Sequence, residues 1–101
     1  MALLGSTEIT ASVREERTEA IRALMLEEMG DYGTIHFPKI PRAVRYATDA
    51  LSLWYARGDV MAVLSAEYGE ASAHQKMDHI SRQFKGLLPS GISARPNKLK
   101  R

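Results

Sequence analysis

RAVRYATDALSLWYAR, residues 42–57, decides how the rest of the chain is read. On a helix, one side carries Val44, Ala47, Leu51, Trp54 and Tyr55, and another carries Ala43, Tyr46, Ala50 and Leu53; only Arg45, Asp49 and Ser52 leave a polar strip. A helix apolar over most of its circumference belongs in the middle of a bundle, so this segment is expected to be central with the other helices packed around it. Pro41 suits its first turn, where a missing N–H costs nothing. Trp54 is expected as a core anchor whose indole N–H finds a buried acceptor.

Outward from this segment, glycines punctuate the chain. Gly30, Gly58, Gly69 and Gly86 each follow a segment with helical periodicity, where a left-handed C-terminal cap is wanted. Four stops predict four helices. The first runs from Val13 to about Met29 behind a Ser12/Glu15 capping box, with Val13, Ala20, Ile21, Leu24 and Met25 on one side and Glu15, Glu16, Glu19, Glu27 and Glu28 on the other. Thr7 and Thr10 are alternative caps for an earlier turn. Gly30 to Ile40 reads as an extended connector packed by Ile35 and Phe37. After the central helix, Asp59 caps a short third one ending near Tyr68. Ser72 and Gln75 form a second capping box opening a fourth helix over 73–85, with Ala73, Met77, Ile80 and Phe84 as its buried stripe, continued by Leu87 and Leu88. The fold class is therefore all-α: a compact four-helix orthogonal bundle forming a single domain over 1–88. Residues 89–101, rich in Ser, Gly, Arg, Pro, Asn and Lys, read as a flexible, disordered basic tail.

Composition removes much chemistry. The 101 residues include 45% hydrophobic and 26% charged side chains and no cysteine, which excludes disulfides, thiol nucleophiles and sulfur-ligated metals. No Gly-rich phosphate loop, nucleophile elbow or zinc-binding helix motif occurs, so no catalytic residue, cofactor or small-molecule substrate is predicted. The first residues lack the pattern of a secretion signal and the longest apolar run, residues 60–64, is too short to cross a bilayer. A cytoplasmic protein without membrane contact is expected. Arg57-Gly58-Asp59 matches the cell-adhesion tripeptide, but a helix stop followed by a helix cap accounts for it locally.

The net charge of +2 conceals a division: residues 1–33 sum to −4 and residues 34–101 to +6. Two basic clusters stand out. Lys39, Arg42 and Arg45 follow one another at i, i+3, i+6, where cations oppose the helix macrodipole and so want a purpose. Binding phosphate is one; pairing of Arg45 with Asp49, and of the others with the acidic first helix, is another. The tail adds Arg95, Lys98, Lys100 and Arg101.

Residues 61–80 partly resemble a helix-turn-helix, with Gly69 as the turn glycine, Leu64 at an apolar slot and Ser65 at the small one. Glu70, Gln75 and Asp78 depart from that pattern; Met77 and Ile80 fill its slots if the turn is about two residues longer, as a Ser72 cap allows. The resemblance implies duplex DNA as ligand, with His74, Gln75, Lys76, His79, Arg82 and Gln83 facing the major groove from helix 73–85 and Lys39, Arg42, Arg45 and the tail gripping phosphates. His74, Asp78 and Arg82, at i, i+4, i+8, read as a solvated charge ladder, since His79 lies about 140° round the axis from His74 and cannot complete a metal site. The leading expectation is a non-enzymatic binding module, in the style of small bacterial regulatory or accessory proteins, acting through a protein partner or a homodimer; sequence-dependent DNA binding is the alternative.

Overall fold

The computed structural model describes residues 9–89 and Ile92. Among them the chain is all-helical, with five helices: α1 (Ala11–His36), α2 (Lys39–Tyr46), α3 (Ala50–Tyr55), α4 (Arg57–Tyr68) and α5 (Glu70–Arg82). The expected all-α, orthogonal-bundle architecture holds, with one helix more than predicted. Of the expected tail, 89–101, all but Pro89 and Ile92 lies outside the described residues, as do Thr7 and the start of the chain.

The segment read as one central helix is two. Ala47 leaves the helix with ψ 136°, and Asp49 is extended (φ −157°, ψ 177°). The Asp49 carboxylate accepts from the Ser52 N–H at 2.9 Å and from its hydroxyl at 2.8 Å, capping α3. Asp prefers this cap to a helix interior, and here that local preference overrides the apolar periodicity. Centrality passes to α4, which contacts all four other helices and buries Val60, Val63 and Leu64 completely. The surplus apolar positions of 42–57 are left outside: Tyr46 is 73% and Tyr55 67% exposed. Trp54 is half-buried at the rim, edge-on to Phe84 with ring centroids 5.1 Å apart, and not the buried anchor expected.

Helix α1 starts earlier and ends later than its periodicity predicts. The cap is Thr10, whose Oγ1 accepts from Val13 N–H at 3.2 Å; Ser12 lies inside the helix and its capping box does not form. Ile9, just before the cap, packs on the core and holds the chain in helical approach. Gly30 has the positive φ foreseen for it (φ 54°, ψ −156°), but the chain kinks there and resumes as helix through His36. The expected connector is therefore mostly helical; Phe37 is half-buried as anticipated, while Ile35 is 69% exposed. Gly33 permits this continuation, because a Cβ there would sit 2.9 Å from Met29 Cβ and 3.4 Å from Val63 Cγ1.

Two further caps differ from expectation. Arg57 follows Ala56, itself in the α-region, so Gly58 and Asp59 lie in the first turn of α4 and Asp59 complements the dipole there without capping. Helix α5 begins directly after Gly69 (φ 89°, ψ 162°), which places Ser72 inside it. The helix ends at Arg82, and turns carry Phe84 and, past Gly86 with its φ of 82°, Leu87 into the core. Ile21, Met25 and Met29 of α1, Val44, Leu53, the α4 triad, and Ala73, Met77 and Ile80 of α5 complete one core.

Candidate interaction surface

Most arginines of the chain's first half are committed internally. Arg14 donates to the Leu87 carbonyl at 2.8 Å, and Arg17 to the carbonyls of Gln83 and Lys85 at 2.9 and 2.7 Å. Arg22 donates to the carbonyls of Val44 and Arg45 at 2.7 and 2.9 Å. All three rise from α1 and reach carbonyls at or just past the ends of α2 and α5, where the i+4 N–H is missing, the Val44 carbonyl being shared with the Ala47 N–H at 3.3 Å. They satisfy backbone acceptors and complement the negative dipole ends. Arg57 does similar work nearby: it lies 3.2 Å from the centroid of the Trp54 ring, donates to the Trp54 carbonyl at 3.1 Å and to Ser81 Oγ at 2.9 Å. Burial pushes its guanidinium below its usual pKa. No spacing in the sequence announces these contacts, since each spans 22 or more residues except the local Arg57–Trp54 bond.

The cations of α2 are used differently. Lys39, Arg42 and Arg45 are exposed on its outer side together with Tyr46, while Pro41 and Val44 face inward. The ion pairs of the described residues are Arg22–Glu19, His74–Glu70 and Lys76–Glu28, so none of the three α2 cations is paired among them. The expected Arg45–Asp49 pair fails because the helix stops between them and Ser52 takes the carboxylate.

On α5 the six predicted DNA-facing residues do not form one free face. Lys76 is bound to Glu28 at 3.0 Å and lies 4.5 Å from the Tyr68 ring centroid; the Glu28 hydrogen bond holds its ammonium above the usual pKa. His79 and Gln83 line a depression of about 230 Å³ against Arg17 and Leu24 of α1, and Gln83 Nε2 donates to the His79 carbonyl at 3.0 Å. His74 lies 3.9 Å from Glu70, one turn back, and not in a ladder toward Arg82. Gln75 and Arg82 are exposed. The single residue between α4 and α5 is shorter than the turn of a helix-turn-helix, and the longer turn that a Ser72 cap would open is not made.

The α2 cations and the residues predicted to face DNA from α5 also lie on different flanks of α1. Arg22 reaches α2, whereas Arg17 and Glu28 reach α5, and these positions are about 120–140° apart around a helix axis. Lys39, Arg42 and Arg45 are thus not brought beside His74, Gln75 and Arg82.

Beyond the end of α2 lies a groove of about 770 Å³, lined by Ile9, Arg14, Glu15, Glu19, Asp49 and Leu51 among others. It continues onto the acidic side of α1 formed by Ser12, Glu15, Glu16 and Glu19. Glu19 is held below the usual carboxylate range by its hydrogen bonds to Arg22, and Asp49 by those from Ser52. Among the described residues, no group of three His, Asp or Glu side chains could hold a metal ion, and no helix is long and apolar enough to cross a membrane. No protein-family model matches the chain, and comparison with curated proteins and with solved structures gave no match.

Proposed function

We propose that the protein is a non-enzymatic binding module that docks an acidic protein surface on the outer face of α2. The observation that carries this reading is the contrast in how the cations are used: Arg14, Arg17, Arg22 and Arg57 are spent on internal acceptors, while Lys39, Arg42 and Arg45 stand exposed beside a 73% exposed Tyr46. Exposed cations around a tyrosine supply both long-range attraction and a rigid apolar contact, the mixture enriched at protein interfaces. Recognition of duplex DNA by α5 is less well supported, because Glu70 and Asp78 share that helix with its cations and Lys76 is already paired.

The test is titration of a fluorescent, glutamate-rich peptide and, separately, a duplex oligonucleotide into the full chain. Peptide binding that weakens with salt and is lost in Arg42→Glu/Arg45→Glu supports the reading. Duplex binding that survives this variant and is lost in Arg82→Ala would replace it with the DNA reading.

A further inference from the structure

We infer that the acidic surface docked by α2 is the first two turns of α1 in a second copy of this chain, so that the protein forms a twofold dimer. This rests on the proposal that α2 is the docking face, and it names the partner.

The geometry comes from how α1 and α2 lie together. Arg22 of α1 meets the carbonyls of Val44 and Arg45, while Gly33, further along α1, faces Pro41 nearer the start of α2. The two helices are therefore antiparallel, and the C-terminal end of α2 points toward the N-terminal end of α1. Thr48 and Asp49, just past α2, accordingly line one groove with Glu15 and Glu19. On a helical wheel Ser12, Glu15, Glu16 and Glu19 share an arc of about 100°, and Glu15 is only about 20° round from Arg22, which reaches α2. The acidic side of α1 thus lies on the same flank as α2, beyond its end.

That flank carries two patches in line. One is basic, with Lys39, Arg42 and Arg45 on an eight-residue helix. The other is acidic, with Glu15 and Glu16 outside any ion pair of the described residues and Glu19 shared with Arg22. Each spans about 12 Å at the helical rise. A twofold axis passing between them sets the basic patch of each copy on the acidic patch of the other, making the same contact twice, as an isologous interface requires. Tyr46 stands at the junction of the patches, next to such an axis, where a central aromatic anchor is most effective. The short chain would also gain by it, since a domain of about 100 residues buries a modest share of its surface alone.

Sedimentation velocity on the full chain tests this, in low and high salt. The wild type is expected to dimerise with a Kd on the order of 10–100 µM in about 50 mM salt and to weaken roughly tenfold or more in about 500 mM salt. Arg42→Glu/Arg45→Glu and Glu15→Lys/Glu16→Lys are each expected to be folded monomers by sedimentation and circular dichroism. Mixed in equal amounts they should form a heterodimer, because reversing both partners restores attraction at both contacts. If the lysine variant fails to fold, Glu15→Gln/Glu16→Gln replaces it and should weaken the wild-type dimer. A wild type that stays monomeric at about 1 mM in low salt overturns the inference, as does a dimer indifferent to both reversals or a mixture that fails to associate. A monomer that still binds the glutamate-rich peptide through Arg42 and Arg45 overturns the second copy alone and leaves the docking face standing.

Discussion

Replacing Arg22 by methionine separates the value of capturing carbonyls from the value of a visible ion pair. The Arg22 side chain is 15% exposed and makes both kinds of contact: two bonds to the carbonyls of Val44 and Arg45, and a bidentate pair with Glu19, which is 63% exposed. Methionine keeps most of the apolar stem and removes every donor. A hydrogen bond with one charged partner contributes about 1.5–3 kcal/mol, and ordering the long side chain costs about 1–2 kcal/mol. Water can reach the Arg45 carbonyl once the guanidinium is gone, but Val44 is fully buried and its carbonyl keeps only the long 3.3 Å bond from the Ala47 N–H. The net loss is then about 2–3 kcal/mol, which for a domain of this size lowers Tm by roughly 10–20 °C. Arg22→Lys, a point charge that serves one carbonyl at a time, should fall between. Glu19→Gln removes the exposed pair alone and should move Tm by no more than about 2 °C. Thermal unfolding followed at 222 nm measures all three. If Arg22→Met melts within about 2 °C of the wild type, or Glu19→Gln costs as much as Arg22→Met, the carbonyls are not what Arg22 stabilises.

Two further outcomes follow from particular positions. Gly33→Ala gains about 1 kcal/mol in helix propensity but drives a methyl to 2.9 Å from the Met29 Cβ, which cannot swing away; overpacking of about 1–3 kcal/mol outweighs the gain, and urea unfolding should show a net loss. Asp49 has its carboxyl pKa lowered by the Ser52 hydrogen bonds, so its contribution is full above the unfolded value near 3.8 and fades as pH falls through the lower folded value. Wild type should therefore exceed Asp49→Asn in Tm at pH 6 and lose that margin in the acid range below about pH 4; a margin unchanged down to pH 2 would show that the charge of Asp49 is irrelevant to the cap.

Periodicity and punctuation in the chain were enough for the all-α class, for the buried stripe of α5, and for Ile21 and Met25 of α1 but not for Val13 and Ala20, which are exposed. They were enough too for three of the four glycine stops, Gly30, Gly69 and Gly86, where φ is positive, Gly58 lying instead within α4. These are short-range properties, settled within one or two helical turns. The exposed cations of α2 were legible for the same reason, as spacing on a single helix. Two decisions lay beyond that range. The 42–57 segment had the apolar pattern of one central helix, and the competition between that pattern and the Asp49 cap was won by the cap because Arg22, twenty or more residues away, satisfied the carbonyls of the interrupted end. Gly30 looked like a terminus and became a kink because Gly33 could approach Met29 and Val63.

Local chemistry along the chain determined where helices could start, stop and bury a side, and which side chains carried charge. Only the tertiary structure decided which charges were consumed: Arg14, Arg17, Arg22 and Arg57 look no different in sequence from Arg42 and Arg45, yet the first group is tied down by acceptors and the second is not. A guanidinium reaches several ångströms beyond its own helix, so its partner is set by which helix end the fold places there. The same antiparallel placement of α1 and α2 brings an acidic and a basic patch into line on one flank, an arrangement that no sequence spacing encodes.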